Sequence, residues 1–149
     1  MTSVGAALTE GTAALAEAGV ENPRAEARLL LGHIMTLTPA QVFARTEDVV
    51  GSDHLAAYYA CLGERCRGKP LAHITGRREF WSLDLEVSPE TLIPRPDTEA
   101  VIDLARDLFR DRAAPKSILD LGTGSGCILL ALLTEFEDAV WNRHRGHAE

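Results

Sequence analysis

The sequence has few cysteines, few aromatic residues and no excess of positive charge. Its 149 residues include 3 cysteines and 5% aromatic residues, and the formal net charge is −7. Cys61, Cys66 and Cys127 form no Cys-x-x-Cys pair and are odd in number, which is typical of reduced thiols and argues against a disulfide or metal site. Because an acidic chain has no basic face to cover a nucleic acid, direct nucleic-acid binding is not predicted.

Long apolar runs are also missing. No segment reaches the ~20 residues that a membrane-spanning helix needs, and no secretory signal is visible at the N-terminus. We therefore predict a cytoplasmic protein with no membrane association. With 46% hydrophobic and 25% charged residues, the chain has enough apolar residues for a core, and its length allows one domain or two small ones.

The most informative stretch is a glycine-rich turn in the last third of the chain. Residues 118–121 read Ile-Leu-Asp-Leu, residues 122–126 read Gly-Thr-Gly-Ser-Gly, and an apolar helical pattern follows from Cys127. This pattern is typical of a buried parallel strand that passes into a helix through a turn with little side-chain bulk. Such glycines allow positive φ and the close approach of a ligand, and Asp120 is expected at the carboxyl end of the strand, where α/β sheets bind ligands. The stretch predicts a cofactor loop rather than a turn without a ligand.

The spacing of the glycines distinguishes between cofactors. A dinucleotide fingerprint needs its last glycine three positions after the second, where this chain has Cys127. A phosphate-binding Walker loop needs a Lys-Ser or Lys-Thr pair after the glycines, and none follows. An acid two residues before Gly-x-Gly-x-Gly instead resembles the first motif of the S-adenosylmethionine methyltransferases.

The first 70 residues predict a small bundle of four short helices. The predicted helix starts are the N-terminal segment before Leu8, Asn22-Pro23, Thr38-Pro39 with the capping-box residue Gln41, and Ser52-Asp53. Gly19 is the expected end of the first helix. The residues predicted on the inner faces are Leu8, Leu15, Ala18, Ala27, Leu30, Leu31, Ile34, Leu55, Tyr58, Tyr59, Leu62 and Cys66. The bundle is interpreted either as a docking module for a partner or as a lid or spacer.

The middle of the chain predicts a hairpin followed by a rigid loop. Gly68-Lys69-Pro70 breaks the fourth helix, and residues 78–87 become strand-like, with apolar and acidic residues alternating over 83–87. Residues 80–83 allow an earlier strand and a turn. Pro94 and Pro96 hold the backbone around Arg95 extended, so that its guanidinium is a candidate to bind a carboxylate or a backbone carbonyl. Asp97 or Thr98 is predicted to cap a helix whose apolar positions run from 101 to 109. His73 is interpreted as a hydrogen-bonded structural residue rather than a ligand.

Four segments together carry a resemblance to a known family. Residues 69–76 (Lys-Pro-Leu-Ala-His-Ile-Thr-Gly), 79–81 (Glu-Phe-Trp), 92–99 (Leu-Ile-Pro-Arg-Pro-Asp-Thr-Glu) and 120–126 (Asp-Leu-Gly-Thr-Gly-Ser-Gly) resemble the HemK/PrmC family. That family comprises the peptide chain release factor glutamine-N5 methyltransferases, and the resemblance runs from about residue 5 to Ala139.

The resemblance implies an α/β fold overall, with three parts and a set of functional residues. The parts are an all-α substrate-docking bundle over residues 1–70, a β-hairpin linker with the Pro-Arg-Pro loop over 71–96, and the incomplete start of a class I, Rossmann-like methyltransferase domain over 97–149. It implies a monomer that binds S-adenosylmethionine and methylates the glutamine of the Gly-Gly-Gln motif in a release factor. The residues implied to bind the cofactor are Asp120, Gly122, Thr123, Gly124, Ser125 and Gly126, and Arg95 is implied on the substrate side.

The chain also departs from the family pattern. The Asn-Pro-Pro-Tyr segment with which the family grips the glutamine amide is not in the sequence, so no catalytic residue is predicted here and little or no activity is expected. Residues 140–149 show no strand pattern, and the chain is expected to supply one parallel strand and two flanking helices. One hypothesis is a frameshift near Val140, because reading the codons of residues 141–145 one base later can give Gly-Thr-Gly-Ile-Glu. Sequencing the gene past this point tests that hypothesis.

Two other functions fit parts of the sequence. One is a non-catalytic module that binds a release factor through its helical bundle. The other is a fragment of a nicotinamide-dependent oxidoreductase, against which Cys127 in the last fingerprint position counts.

Overall fold

The computed structural model describes residues 1–110 and 113–142. The chain divides into two compact units, Met1–Thr75 and Gly76–Glu149. The first unit is helical apart from one antiparallel bridge between Ser3 and Val49, and the second combines helices with two small sheets. Among the described residues, no helix has the length and apolar character needed to cross a bilayer.

The first unit contains the four predicted helices and one more. The helices are α1 Val4–Glu17, α2 Pro23–Met35, α3 Pro39–Ala44, α4 Ser52–Cys66 and α5 Leu71–Thr75. The last of them, α5, packs on α2 and α4. Its five residues are too few to show a helical period, which is why the sequence did not predict it.

Local sequence signals fix most of the helix ends. Thr38 and Gln41 form the predicted capping box, because the Thr38 hydroxyl accepts the Gln41 N–H and the Gln41 side chain accepts the Thr38 N–H. Gly19 has φ +75°, as expected for the residue that ends a helix in the left-handed region. Asn22 is the N-cap residue of α2 and Pro23 its first residue, as predicted, although the Asn22 side chain makes no capping hydrogen bond.

The core of the first unit is apolar and closed. Its buried residues are Val4, Ala7, Leu15, Ala27, Leu30, Leu31, Val42, Val50, Tyr58 and Leu62. Ala18 and Tyr59 are exposed, although helical spacing predicted them on inner faces. Ala18 lies beyond the last turn of α1, and the Tyr59 hydroxyl donates to the Glu10 carboxylate at the surface.

The second unit begins with the predicted hairpin. Strands β1 Arg77–Phe80 and β2 Leu83–Glu86 pair antiparallel, with Phe80 opposite Leu83. Trp81 and Ser82 have φ of +51° and +59°, which is the backbone of the two-residue turn that matches the twist of a hairpin. The loop that follows leads into a 3₁₀ turn over Pro96–Glu99.

Helix α6, Ala100–Phe109, continues directly from this 3₁₀ turn. Asp97 and Thr98 therefore lie inside the turn, and the prediction that one of them caps the helix is wrong. Arg95 is the extended residue before the turn, and Glu99 precedes α6 without a side-chain capping bond. Pro96 already has the φ of a helix at the first position of the turn. The helical backbone therefore begins earlier in the chain than Asp97 and Thr98.

The remaining elements form a strand–helix–strand unit. Strand β3 Ser117–Leu119 is followed by helix α7 Cys127–Glu135 and strand β4 Val140–Asn142, and β4 pairs parallel with β3. The chain was expected to supply one parallel strand, and this expectation is wrong because residues 140–142 form a second one. Three residues are too few for a strand pattern to be visible in the sequence. Residues 143–149, which include most of the segment of the frameshift hypothesis, lie outside the described residues.

Strand β3 is less buried than predicted. Leu119 is 59% exposed, and only Ile118 of its three residues is half-buried. Among the described residues β3 has a single neighbouring strand, and an apolar run is buried on both faces only where both faces are covered. The core of this unit is small and joins the hairpin to α6 and α7. Its buried residues are Phe80, Ile102, Cys127 and Ala131.

Candidate cofactor-binding site

The glycine-rich stretch forms a strand–turn–helix, as predicted. Between the end of β3 and Cys127, the first residue of α7, the φ values of Gly122, Gly124 and Gly126 are +74°, +54° and +78°. Residues with a side chain rarely adopt this left-handed region. The alternating glycines are therefore required by the backbone path of the loop, and a substitution at any of them would strain it.

Hydrogen bonds within the loop hold this path. The Gly126 N–H donates to the Thr123 carbonyl at 2.8 Å, and the Thr123 hydroxyl donates to the Asp120 carbonyl at 3.4 Å. The Cys127 N–H donates to the Ser125 hydroxyl at 3.4 Å. Thr123 and Ser125 thus shape the loop with their side chains and leave other backbone donors unused.

Those unused donors face little obstruction. The N–H groups of Gly122, Thr123, Gly124 and Ser125 donate to no residue in the described part of the chain. A Cβ on Gly122 would meet no atom within 4 Å, and one on Gly124 would meet only the Gly122 carbonyl oxygen, at 3.8 Å. Unpaired N–H groups beside open space before a helix are suited to binding the oxygen atoms of a ligand.

Asp120 adds a negative charge beside these donors. It follows β3 directly and is half-buried. Its carboxylate forms no ion pair and no hydrogen bond with residues 1–110 or 113–142. A partly desolvated carboxylate favours a positively charged or hydroxyl-bearing partner. The loop and Asp120 together offer both N–H donors and an acidic acceptor, which suits a ligand that carries cationic and anionic groups.

Arg95 is not joined to the loop by a hydrogen bond or an ion pair. It is exposed, and its backbone carbonyl accepts the Thr98 N–H at 3.0 Å. Its guanidinium has no ion-pair partner within the described residues. The predicted role on the substrate side therefore stays a prediction.

His73 and Cys127 are the other residues that the sequence analysis singled out. His73 lies in α5, where its Nε2 atom is buried and has no hydrogen-bond partner in the described part of the chain, so this nitrogen does not make the expected hydrogen bond. Cys127 is buried in the core of the second unit. Its side chain occupies the position where a dinucleotide fingerprint needs glycine for close helix–strand packing. No three His, Cys, Asp or Glu side chains in the described ranges could hold a metal ion together.

A polar network that the sequence did not predict ties the hairpin to both helices of the second unit. The Trp81 backbone N–H donates to Glu99 at 3.0 Å, and its indole N–H donates to Glu135, the last residue of α7, at 2.8 Å. Arg106 of α6 pairs with the other Glu135 oxygen at 2.9 Å and lies 5.8 Å from the centre of the Trp81 ring. Trp81 and Glu135 are 54 residues apart, so no local pattern could indicate this contact.

Comparison with known proteins gives one matching family model and several relatives of the same name. Residues 6–76 match the family model described as the PrmC N-terminal domain. The release factor glutamine methyltransferase of Aliivibrio fischeri is 42% identical over 133 residues, which is 89% of this chain and 46% of that protein. The protein of the same name from Escherichia coli K12 is 47% identical over 118 residues, which is 79% of this chain and 42% of that protein.

A third relative extends the match to more of the chain. The release factor glutamine methyltransferase of Rhodospirillum rubrum is 42% identical over 137 residues, which is 92% of this chain and 42% of that protein. The chain thus spans somewhat less than half the length of the curated relatives that it matches. Matches at this identity over most of the chain, together with the PrmC N-terminal domain, show that the chain belongs to the family of the release factor glutamine methyltransferases.

Proposed function

We propose that this chain belongs to an enzyme that methylates the glutamine side-chain amide in the Gly-Gly-Gln motif of a peptide chain release factor, with S-adenosylmethionine as the methyl donor. The observation that carries the proposal is the open loop with three positive-φ glycines after Asp120, in a chain 47% identical to such a methyltransferase over 118 residues. Translation termination places the proposed reaction in the cytoplasm.

The loop residues fit this cofactor. When bound, S-adenosylmethionine supplies a methyl group on a sulfonium cation and carries an amino-acid end with a carboxylate. The free N–H groups between Gly122 and Ser125 would bind the oxygen atoms of the cofactor, and Asp120 would provide the nearby negative charge. The open space at Gly122, where a Cβ would meet no atom within 4 Å, supports the close approach of a ligand to the backbone.

The arrangement of β3, α7 and β4 supports a class I, Rossmann-like domain. Two parallel strands joined through a helix form a βαβ unit, from which doubly wound sheets are built. The glycine loop lies at the carboxyl end of the first strand of that unit, which is the edge where such sheets bind ligands.

We further propose that a polypeptide of these 149 residues has little or no methyltransferase activity by itself. An amide nitrogen is a weak nucleophile, and its attack on a methyl group depends on side chains that hold it in line and raise its electron density. The family uses an Asn-Pro-Pro-Tyr segment for this purpose, and the sequence contains none.

A chimaeric enzyme tests the proposed function. This chain, up to the last residue of its match to the Escherichia coli relative, is joined to the part of that relative that follows the match, and transfer of a labelled methyl group to a release factor is measured. We expect the chimaera to methylate the glutamine, and the 149-residue polypeptide to be slower by at least ~100-fold. A chimaera that folds but transfers no methyl group would refute the proposal.

A pair of glycine substitutions in the chimaera isolates the loop. Gly124→Val introduces a side chain at φ +54° beside the proposed cofactor, whereas Gly19→Val introduces the same strain at φ +75° where no atom lies within 4 Å. We expect Gly124→Val to lower kcat/KM at least ~10-fold and Gly19→Val to leave it within about twofold. Equal losses would mean that backbone strain alone, and not a cofactor site, explains the effect.

A non-catalytic docking module is the second candidate. The observation in its favour is that the first unit has its own closed core and matches the PrmC N-terminal domain. Binding of a release factor to the 149-residue chain, combined with an inactive chimaera, would favour this function over methylation.

A further inference from the structure

A cleft in the first unit is positively charged, although the chain as a whole is acidic. It has a volume of about 420 Å³ and is lined by residues of α1, α2 and α3 and by Thr46. Arg24 and Arg28 of α2 are one helical turn apart and both line it. None of its lining residues is acidic, in a chain with 22 acidic residues and 15 Lys and Arg.

The guanidinium groups of Arg24 and Arg28 differ in their pairing from that of Arg65. Within the described residues neither Arg24 nor Arg28 forms an ion pair, whereas Arg65 of the same unit pairs with Glu26 at 2.5 Å. Glu26 is the carboxylate between the two arginines in the sequence, and Arg65 already uses both of its oxygens. Each unpaired guanidinium presents several N–H donors in a planar fork that matches a carboxylate.

Beside these charges lies an exposed aromatic ring. Phe43 of α3 lines the cleft and is 65% exposed. The Arg28 guanidinium carbon is 6.0 Å from the centre of the Phe43 ring, close enough for a cation–π contact that holds Arg28 against the cleft wall. Leu8 adds a half-buried apolar contact on the α1 side. An exposed aromatic residue next to an arginine is typical of the residues that dominate binding at protein interfaces.

The hydroxyl groups of the cleft favour a peptide over a simple anion. The Thr9 hydroxyl donates to the Gly5 carbonyl at 2.9 Å, and the Thr12 hydroxyl donates to the Leu8 carbonyl at 2.6 Å. Because their hydrogens are used in this way, both oxygens remain as acceptors for a ligand. A carboxylate alone has no hydrogen to donate to these oxygens, whereas a peptide also has backbone N–H groups that can donate to them.

We propose that this cleft docks an acidic segment of the protein substrate. A carboxylate side chain of that segment binds Arg24 and Arg28, an apolar side chain packs on Phe43 and Leu8, and a backbone N–H donates to Thr9 or Thr12. The identity of the partner, a release factor, rests on the proposed function. Since a chain with a net charge of −7 repels an acidic segment elsewhere, the cleft also determines where the segment binds.

Direct binding measurements test this inference with the intact 149-residue chain. A fluorescently labelled bacterial release factor is titrated with the chain at low salt, and its anisotropy gives Kd. We expect Arg28→Glu and Phe43→Ala each to raise Kd ~10-fold or more, because both remove a central contact. Arg67→Glu, a charge reversal at an exposed arginine of the same unit outside the cleft, should change Kd less than about threefold.

Each other outcome has a defined meaning. If the wild-type chain binds no release factor, or if Arg28→Glu binds as tightly as wild type, the docking inference is wrong, while the chimaera still decides the proposed function. If sedimentation shows that the wild-type chain is a dimer and that Arg28→Glu is a monomer, the cleft binds a second copy of the chain and the inference is also wrong. Circular dichroism of every variant, and the milder Arg28→Lys substitution, separate loss of binding from loss of fold.

Discussion

The two units differ in how completely they bury their apolar residues. In the first unit every helix contributes to one closed core or packs against it. In the second unit, helix α6 buries Ile102 but leaves Val101, Leu104 and Leu108 exposed. Both units have helices with apolar residues at helical spacing. The difference shows that such spacing defines an apolar face, whereas burial also requires an opposing surface.

The second unit compensates for its small core with polar contacts. Trp81, Arg106 and Glu135 join the hairpin, α6 and α7, and Glu99 holds the backbone at the hairpin turn. Side-chain hydrogen bonds and partly exposed ion pairs contribute only about 1 kcal/mol each to stability. We therefore expect single substitutions to have larger effects in the first unit than in the second.

The largest effect is expected for a core substitution in the first unit. Leu30→Ala removes a fully buried side chain and should lower the free energy of unfolding by ~2–5 kcal/mol. Leu29→Ala, at the adjacent position of α2 with 43% exposure, should cost less than about 1 kcal/mol. Urea unfolding followed by far-UV circular dichroism measures both. Similar losses for the two leucines would contradict the closed core.

The next effect concerns a close contact between α1 and α4. A Cβ on Gly11 would overlap the Tyr58 hydroxyl oxygen and lie 2.9 Å from Tyr58 Cζ. We expect Gly11→Ala to destabilise the first unit by ~1–3 kcal/mol through overpacking. In Gly63→Ala the new Cβ meets only an Arg67 side-chain nitrogen at 3.6 Å, and this variant should be more stable than wild type by ~0.5–1 kcal/mol. Thermal unfolding of both variants gives the sign of each change.

A smaller effect is expected in the polar network of the second unit. Glu135→Ala removes the acceptor of the Trp81 indole N–H and the ion-pair partner of Arg106, and it should cost ~1–2 kcal/mol. Glu135→Gln keeps an acceptor but loses the charge, and its cost should be intermediate. The control is Glu137→Ala at a nearby exposed position. Tryptophan fluorescence during urea unfolding reports on the second unit, and a Glu137→Ala effect as large as that of Glu135→Ala would refute the network's role.

The smallest effect at neutral pH is expected for Tyr58→Phe. The Tyr58 hydroxyl is buried without a hydrogen-bond partner in the described part of the chain, so its removal should change stability by less than about 1 kcal/mol at pH 7.

Tyr58→Phe should have a larger effect on stability at high pH. Burial, followed by the charges of Tyr59 and Glu10, raises the pKa of Tyr58 above its ordinary value of 10.0. The unfolded chain therefore loses this proton first, and wild-type stability should fall as the pH rises above about 10. Tyr58→Phe should lose less stability there, as measured by urea unfolding between about pH 9 and 11.5. Identical pH dependence in both proteins would show that the hydroxyl is not protected by burial.

Much of the helical unit could be predicted from local signals. The capping box of Thr38 and Gln41, the proline at the start of α2 and the glycine at the end of α1 act within a few residues and do so in the structure. The hairpin was also predictable, because its alternation and its two-residue turn are local. The short elements α5 and β4 were not, because five and three residues do not contain enough of a period.

The candidate site also combines features that local sequence determines with contacts that only the tertiary structure creates. The sequence alone determined the strand, the glycine loop and the helix around residues 117–135, because positive φ at three alternate positions demands glycine there. Only the tertiary structure decided that Leu119 is exposed, that Trp81 and Glu135 meet, and that Arg24, Arg28 and Phe43 share one cleft. These contacts join residues far apart in the chain, and they depend on which surfaces pack together rather than on any local preference of the backbone.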